Sequence, residues 1–76
     1  ELTVYPTLLH RRQAFRVRSS ESAVLQLYDA TGKHVGTYHT DGGEIELKAP
    51  PAAGLFLLYV EQDGKEKVTP VKLIVR

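Results

Sequence analysis

Apolar and polar residues alternate in short runs along the chain, and the period is two rather than three to four. Leu2-Thr3-Val4-Tyr5 is such a run, and Pro6, which has no amide to donate, ends it; a strand stopped this way belongs at a sheet edge. Ala14 to Arg18 alternates cleanly, with Phe15 and Val17 on one face and Arg16 and Arg18 on the other. Ser19-Ser20-Glu21-Ser22 reads as a polar turn. Val24 to Tyr28 is the next strand, with Leu25 and Leu27 sharing a face. Asp29-Ala30-Thr31-Gly32-Lys33 then supplies a side-chain acceptor first and a glycine free to take positive φ later, which predicts a type I turn with a bulge. The chain returns as His34 to Tyr38, turns at Asp41-Gly42-Gly43, and alternates again over Glu44 to Leu47, with Ile45 and Leu47 inward.

Pro50-Pro51-Ala52-Ala53-Gly54 breaks this pattern and redirects the chain. Leu55 to Gln62 is apolar on both faces for most of its length, which predicts a central strand covered on both sides or one covered by a neighbouring chain. Asp63-Gly64 is the strongest hairpin signal in the sequence. Pro70 marks a bulge or an unpaired stretch, and the last strand, Val71 to Arg76, runs to the final residue. No window sustains a helical pattern. The expectation is an all-β fold, an immunoglobulin-like β-sandwich of about seven antiparallel strands at the spacing such folds use.

Composition narrows the reading. Seventy-six residues make one domain, and a chain of that size buries only about 60–65% of its unfolded surface, so its stability margin is small. There is no cysteine to supply a disulfide or thiolate site, so an apolar core must hold the fold. Ten basic against nine acidic residues give a net charge of +1, which argues against a polybasic nucleic-acid binder. No apolar run reaches the roughly 18 residues of a membrane-spanning helix, and no secretory leader opens the chain. A start at Glu1 is expected of a piece cut from a longer protein.

Catalytic constellations are not apparent. His34 and His39 are five apart, which on a regular strand puts them on opposite faces and argues against joint metal ligation. Ser19, Ser20 and Ser22 read as turn residues bonding local backbone. Glu44 and Glu46 read as a solvated strand face, not an acid–base pair. Gly42-Gly43 lacks the strand-to-helix setting of a phosphate loop. No enzyme, cofactor or metal is expected. Arg11, Arg12, Arg16 and Arg18 form a basic cluster with two readings: a charged strand that resists edge pairing, or a patch for an anionic surface. Gly54-Leu55-Phe56 reads either as backbone geometry opening a strand or as a recognition motif.

Four segments in order carry a resemblance: Val4-Tyr5-Pro6, Leu27 to Val35, Pro51 to Phe56, and Val71 to Arg76. Together they resemble the C-terminal sorting domain (CTD) of the type IX (Por) secretion system, over nearly the whole chain. Thr7-Leu8 stand where the family has Asn-Pro, and Phe56 stands where it has Tyr. The resemblance implies a non-catalytic sorting signal that directs a cargo or surface protein across the outer membrane of a Gram-negative bacterium. It implies passage through the periplasm to the cell surface or medium, and translocon, shuttle and sortase components as partners. In such proteins a sortase-like peptidase commonly cleaves before the domain and attaches the cargo to anionic lipopolysaccharide. The signal is expected in Gly54, Leu55, Phe56, Lys72, Leu73, Ile74, Val75 and Arg76, with an unpaired terminal strand edge open to β-augmentation or to a strand-exchanged homodimer. Arg11, Arg12, Arg16 and Arg18 are the candidate anionic-surface patch. The alternative reading is an immunoglobulin-like carbohydrate-binding or adhesion module of a cell-surface protein; a structural spacer is a third.

Overall fold

A straight strand of 16 residues would run about 50 Å, yet a strand of that length is housed here in a molecule whose longest dimension is 31 Å. The strand must therefore bend, and the bend organises the fold. A computed structural model describes residues 2–62, 65–66 and 70–76. Its strands are β1 (Leu2–Tyr5), β2 (Leu8–Leu9), β3 (Ala14–Asp29), β4 (His34–Lys48), β5 (Gly54–Gln62), β6 (Lys65–Glu66) and β7 (Val71–Val75). The described residues form no helix, so none is long and apolar enough to cross a membrane.

The chain is all-β, as expected, but its strands lie in one curled, mixed sheet of order β1-β3-β5-β7-β2, with β4 on β3 and β6 on β5. Among the described residues every pairing is antiparallel except β2 with β7, which is parallel, so the expected purely antiparallel arrangement is corrected at that seam.

Two expected turns are absent. Ser19–Ser22 and Asp41–Gly43 do not reverse the chain; they face each other across the β3–β4 hairpin and form a bulge. Ser19 pairs with Gly43 and Ser22 with Asp41, so Ser20 and Glu21 stand opposite Gly42 alone. Gly42 (φ 96°) and Gly43 (φ 84°) take backbone angles that L side chains rarely adopt, and this lets the hairpin fold over. Ser19 behaves as a turn serine does, inside a bulge. Ser19 Oγ donates to the Glu21 carbonyl (2.6 Å) and accepts from the Glu21 amide (3.3 Å), and Thr40 Oγ1 accepts from the Gly42 amide (3.3 Å). Ser19 and Thr40 are buried, and among the described residues every buried side-chain polar atom has a partner.

Folding the hairpin over wraps one face of the sheet inward. Phe15 and Val17 before the bend and Ala23, Leu25 and Leu27 after it join Phe56, Leu58, Val60, Leu73, Val75, Leu9 and Ala49 in one core. Ile45 and Leu47 point inward as expected and pack against it half-buried. Strand β1 lies at the edge of the sheet and its Tyr5–Pro6 bond is cis. The Asp63-Gly64 turn lies outside the described residues, although Gln62 and Lys65 on either side of it pair antiparallel. Pro70 is unpaired coil before β7.

Candidate functional site

The hairpin partner of Gly54-Leu55-Phe56 is the chain's last strand. Across β5 and β7, Gly54 pairs with Val75, Leu55 with Ile74, Phe56 with Leu73 and Leu57 with Lys72. The two segments expected to carry recognition are therefore adjacent lanes of one sheet. Period-two alternation divides their side chains. Phe56, Leu73 and Val75 are buried in the core, while Gly54, Leu55, Lys72, Ile74 and Arg76 are exposed.

On the far side of β7 lies β2, which the sequence pattern did not reveal. Leu8 pairs with Ile74 and Leu9 with Val75, while the Ile74 amide donates to the Thr7 carbonyl and the Arg76 amide to the Leu9 carbonyl (2.8 Å each). The expectation of an unpaired terminal edge is corrected: the C-terminal half of β7 is flanked on both sides. Two consecutive leucines after Thr7 are the only sequence signal for β2, and two residues are too few for periodicity to register. Pairing sets Leu8 (49% exposed), Ile74 (51%) and Leu55 (38%) in a row across three neighbouring strands. Leu57 and Tyr59 continue this outer face half-buried, beside Tyr28. The expected cover on both faces of β5 is thus complete on the inner face and partial on the outer.

Two grooves flank the Asp29 turn. One, of about 500 Å³, lies between Asp29–Val35 and Pro50–Phe56 and is largely apolar. The other, of about 480 Å³, is lined by Tyr28, Leu57 and Tyr59 together with residues 29–32. The Tyr28 and Tyr59 rings meet edge to face at 5.6 Å. The turn between the grooves is built as its sequence predicts. Gly32 (φ 91°) donates to the Asp29 carbonyl (3.0 Å), and the Asp29 carboxylate accepts from the amides of Thr31 and Lys33 (2.9 Å each) and from Thr31 Oγ1 (2.6 Å).

The Thr31 hydroxyl, followed by the Lys33 amide, holds the Asp29 carboxyl below its usual pKa. A depressed pKa stabilises the fold fully above the ordinary aspartate range and is lost as pH falls through the depressed value. Acid should therefore loosen this turn. The Asp29→Ala variant is expected to lose less melting temperature than the parent between neutral pH and about pH 3, read by circular dichroism; an equal loss in both would contradict this.

The four arginines do not assemble into one patch. Arg16 and Arg18 share the outer face before the bend, but their cross-strand partners are Glu46 and Glu44. Arg16 lies 3.5 Å from Glu44 and 3.4 Å from Glu46, and Tyr5 Oη donates to Glu44 at 2.8 Å. That hydrogen bond to Glu44 raises the Tyr5 pKa. On this face Glu44 and Glu46 offset Arg16 and Arg18, with Lys48 one pair further along, while Arg11 and Arg12 sit on a separate exposed turn, where Arg12 takes φ 61° and its amide donates to the Pro50 carbonyl (3.3 Å).

The histidines also require a correction. The register slips between Leu27 and Tyr28, so Val35 is an extra residue and the alternation restarts. His34 Nε2 then lies 2.8 Å from Gln26 Oε1 and 3.0 Å from Thr37 Oγ1, on the face that Thr37 shares with His39. The histidines share a face after all. Among the described residues, no group of three or more His, Cys, Asp or Glu side chains is placed to hold a metal ion.

No protein-family model matches the chain, and no curated protein matches it.

Proposed function

We propose that this chain is a non-catalytic sorting domain of the type IX secretion kind, with a curled sheet of the immunoglobulin-like sandwich type, whose signal is a folded surface and not a linear tail. One observation carries the reading: Leu8, Ile74 and Leu55 stand exposed in a row, and the strands of Ile74 and Leu55 contain two of the segments resembling the family. Apolar side chains aligned this way, with a buried row directly beneath, offer a translocon or shuttle component a rigid contact. On this reading Gly54, Leu55, Lys72, Ile74 and Arg76 meet the partner, and Phe56, Leu73 and Val75 support them from below. The cargo passes through the periplasm to the cell surface or medium, and attachment to anionic lipopolysaccharide follows on the cargo side. Arg11 and Arg12 are the members of the basic cluster available to an anionic surface.

The test is a reporter with an N-terminal export signal and these 76 residues at its C-terminus, expressed in a bacterium that has the type IX apparatus. The parent domain is expected to bring the reporter to the surface or medium. The triple variant Leu8→Ser, Leu55→Ser, Ile74→Ser should leave it in the periplasm while the domain still melts cooperatively. Normal export of a folded triple variant would refute the proposal.

A second reading, a carbohydrate-binding or adhesion module, has the Tyr28–Leu57–Tyr59 groove in its favour, since aromatic rings are natural platforms for sugar faces. Glycan binding by the isolated domain, lost in Tyr59→Ala, would favour it over sorting.

A further inference from the structure

We propose that the free edge of β4 between Gly36 and Asp41 is a self-pairing surface, on which a second copy of this chain adds its own β4 antiparallel. The inference goes beyond the sorting reading and does not depend on it.

Strand β4 pairs with β3 along one side, and among the described residues no second strand packs along the other. Which amides face that open side follows from the register. The Ile74 amide points to β2, so Leu73 and Val71 point their backbone groups to β5. Their partners Phe56 and Leu58 point to β7, which turns Leu57 and Tyr59 toward β3. Tyr28 and Gln26 therefore face β5, and Leu25 and Leu27 face β4. Tyr38 and Gly36 return those bonds, which leaves Thr37 and His39 with amides and carbonyls aimed outward. Asp41 continues the alternation.

Strand edges are commonly guarded by Lys, Pro, brevity or charge. The outer edge of β1 is four residues long and stopped by Pro6. Beyond the bend, β4 carries Glu44 and Glu46. Gly36 to Asp41 has no Lys, Arg or Pro, and Thr37, His39 and Asp41 are exposed.

The occupant follows from the symmetry of the segment. Antiparallel pairing centred on His39 sets Thr37 opposite Asp41, Tyr38 opposite Thr40 and His39 opposite its counterpart. No fixed like charges oppose each other. The same register places Val35, the extra residue of β4, opposite Gly43 of the second copy, where β4 faces the Ser20–Glu21 bulge of its own β3, so the two irregularities that bound the stretch coincide. An edge that complements itself in both charge and bulge position fits a two-fold, isologous contact.

Sedimentation velocity and light scattering from micromolar to about 1 mM test the proposal. The parent and His39→Ala are expected to dimerise with rising concentration, because the bonds are made by backbone. His39→Pro removes the outward amide without breaking a β3 bond, and His39→Lys sets two lysines face to face at the symmetry centre. Both are expected to stay monomeric, and His39→Lys keeps the test valid should His39→Pro misfold. A parent that is monomeric throughout, or a dimer that survives His39→Lys and a folded His39→Pro, overturns the proposal.

Discussion

Deleting Lys72–Arg76 is expected to unfold this domain. The deletion removes Leu73 and Val75, both buried in the core. It removes the bonds from the Ile74 and Arg76 amides to Thr7 and Leu9, and so releases β2 with its buried Leu9. It also bares the side of β5 that β7 covers, from Gly54 to Leu57. Large-to-small changes at one buried aliphatic position cost about 2–5 kcal/mol. The whole stability of a 76-residue domain is of the order of 4–11 kcal/mol, at roughly 0.05–0.15 kcal/mol per residue. The loss consumes most or all of that margin. The truncated chain should show no cooperative urea transition and a far-ultraviolet circular dichroism spectrum without the parent's sheet signal. Cooperative unfolding near the parent midpoint would contradict this account. The consequence for function is direct: loss of export on truncation would report unfolding, whether or not the tail is read by a partner. Surface substitutions that spare the core are the informative ones.

The features legible in the sequence are those fixed by neighbours in the chain. Alternation placed Phe15, Val17, Leu25, Leu27, Ile45 and Leu47 inward, because successive side chains on a strand must leave opposite faces. The Asp29 turn was legible because an acceptor and a glycine at fixed offsets make their own hydrogen bonds. The Ser19–Ser22 and Asp41–Gly43 segments carry the same chemistry and do something different. Serine and glycine favour local bonds and unusual φ in a turn and in a bulge alike. Pairing between β3 and β4, which is not local, decides that the chain continues. The slip at Val35 is of the same kind: one extra residue reverses the parity of everything before it, and so brought His34 to the face of His39.

The candidate site divides along the same line. That Gly54-Leu55-Phe56 and the last strand belong to one hairpin was legible, since both flank a strong turn signal. Which of their side chains face outward follows from alternation once the core face is known. The third lane was not legible. Leu8 becomes part of the surface only because β2 docks parallel on β7, a contact between residues near opposite ends of the chain. Without that lane the exposed row would be two residues wide and the terminal edge open.

Two cross-strand pairs, one residue apart, should respond to truncation in opposite ways. Phe56 and Leu73 are paired and buried, whereas Leu55 and Ile74 are paired and exposed. Phe56→Ala is expected to cost about 3–5 kcal/mol and Leu73→Ala about 2–5 kcal/mol, because each leaves a cavity in a core with no disulfide to hold it. Their double-mutant cycle should show a coupling of about 0.5–3 kcal/mol, since the second truncation removes a contact already lost. Leu55→Ala and Ile74→Ala should each cost less than about 1 kcal/mol, because much of each side chain meets water already. Urea denaturation of the four variants and the two doubles measures both. If Ile74→Ala proved as costly as Leu73→Ala, the outer row would be covered in the folded chain and unavailable to any partner. If the exposed pair is cheap and export falls with it, stability and recognition occupy opposite faces of the same two strands, and each can be altered alone.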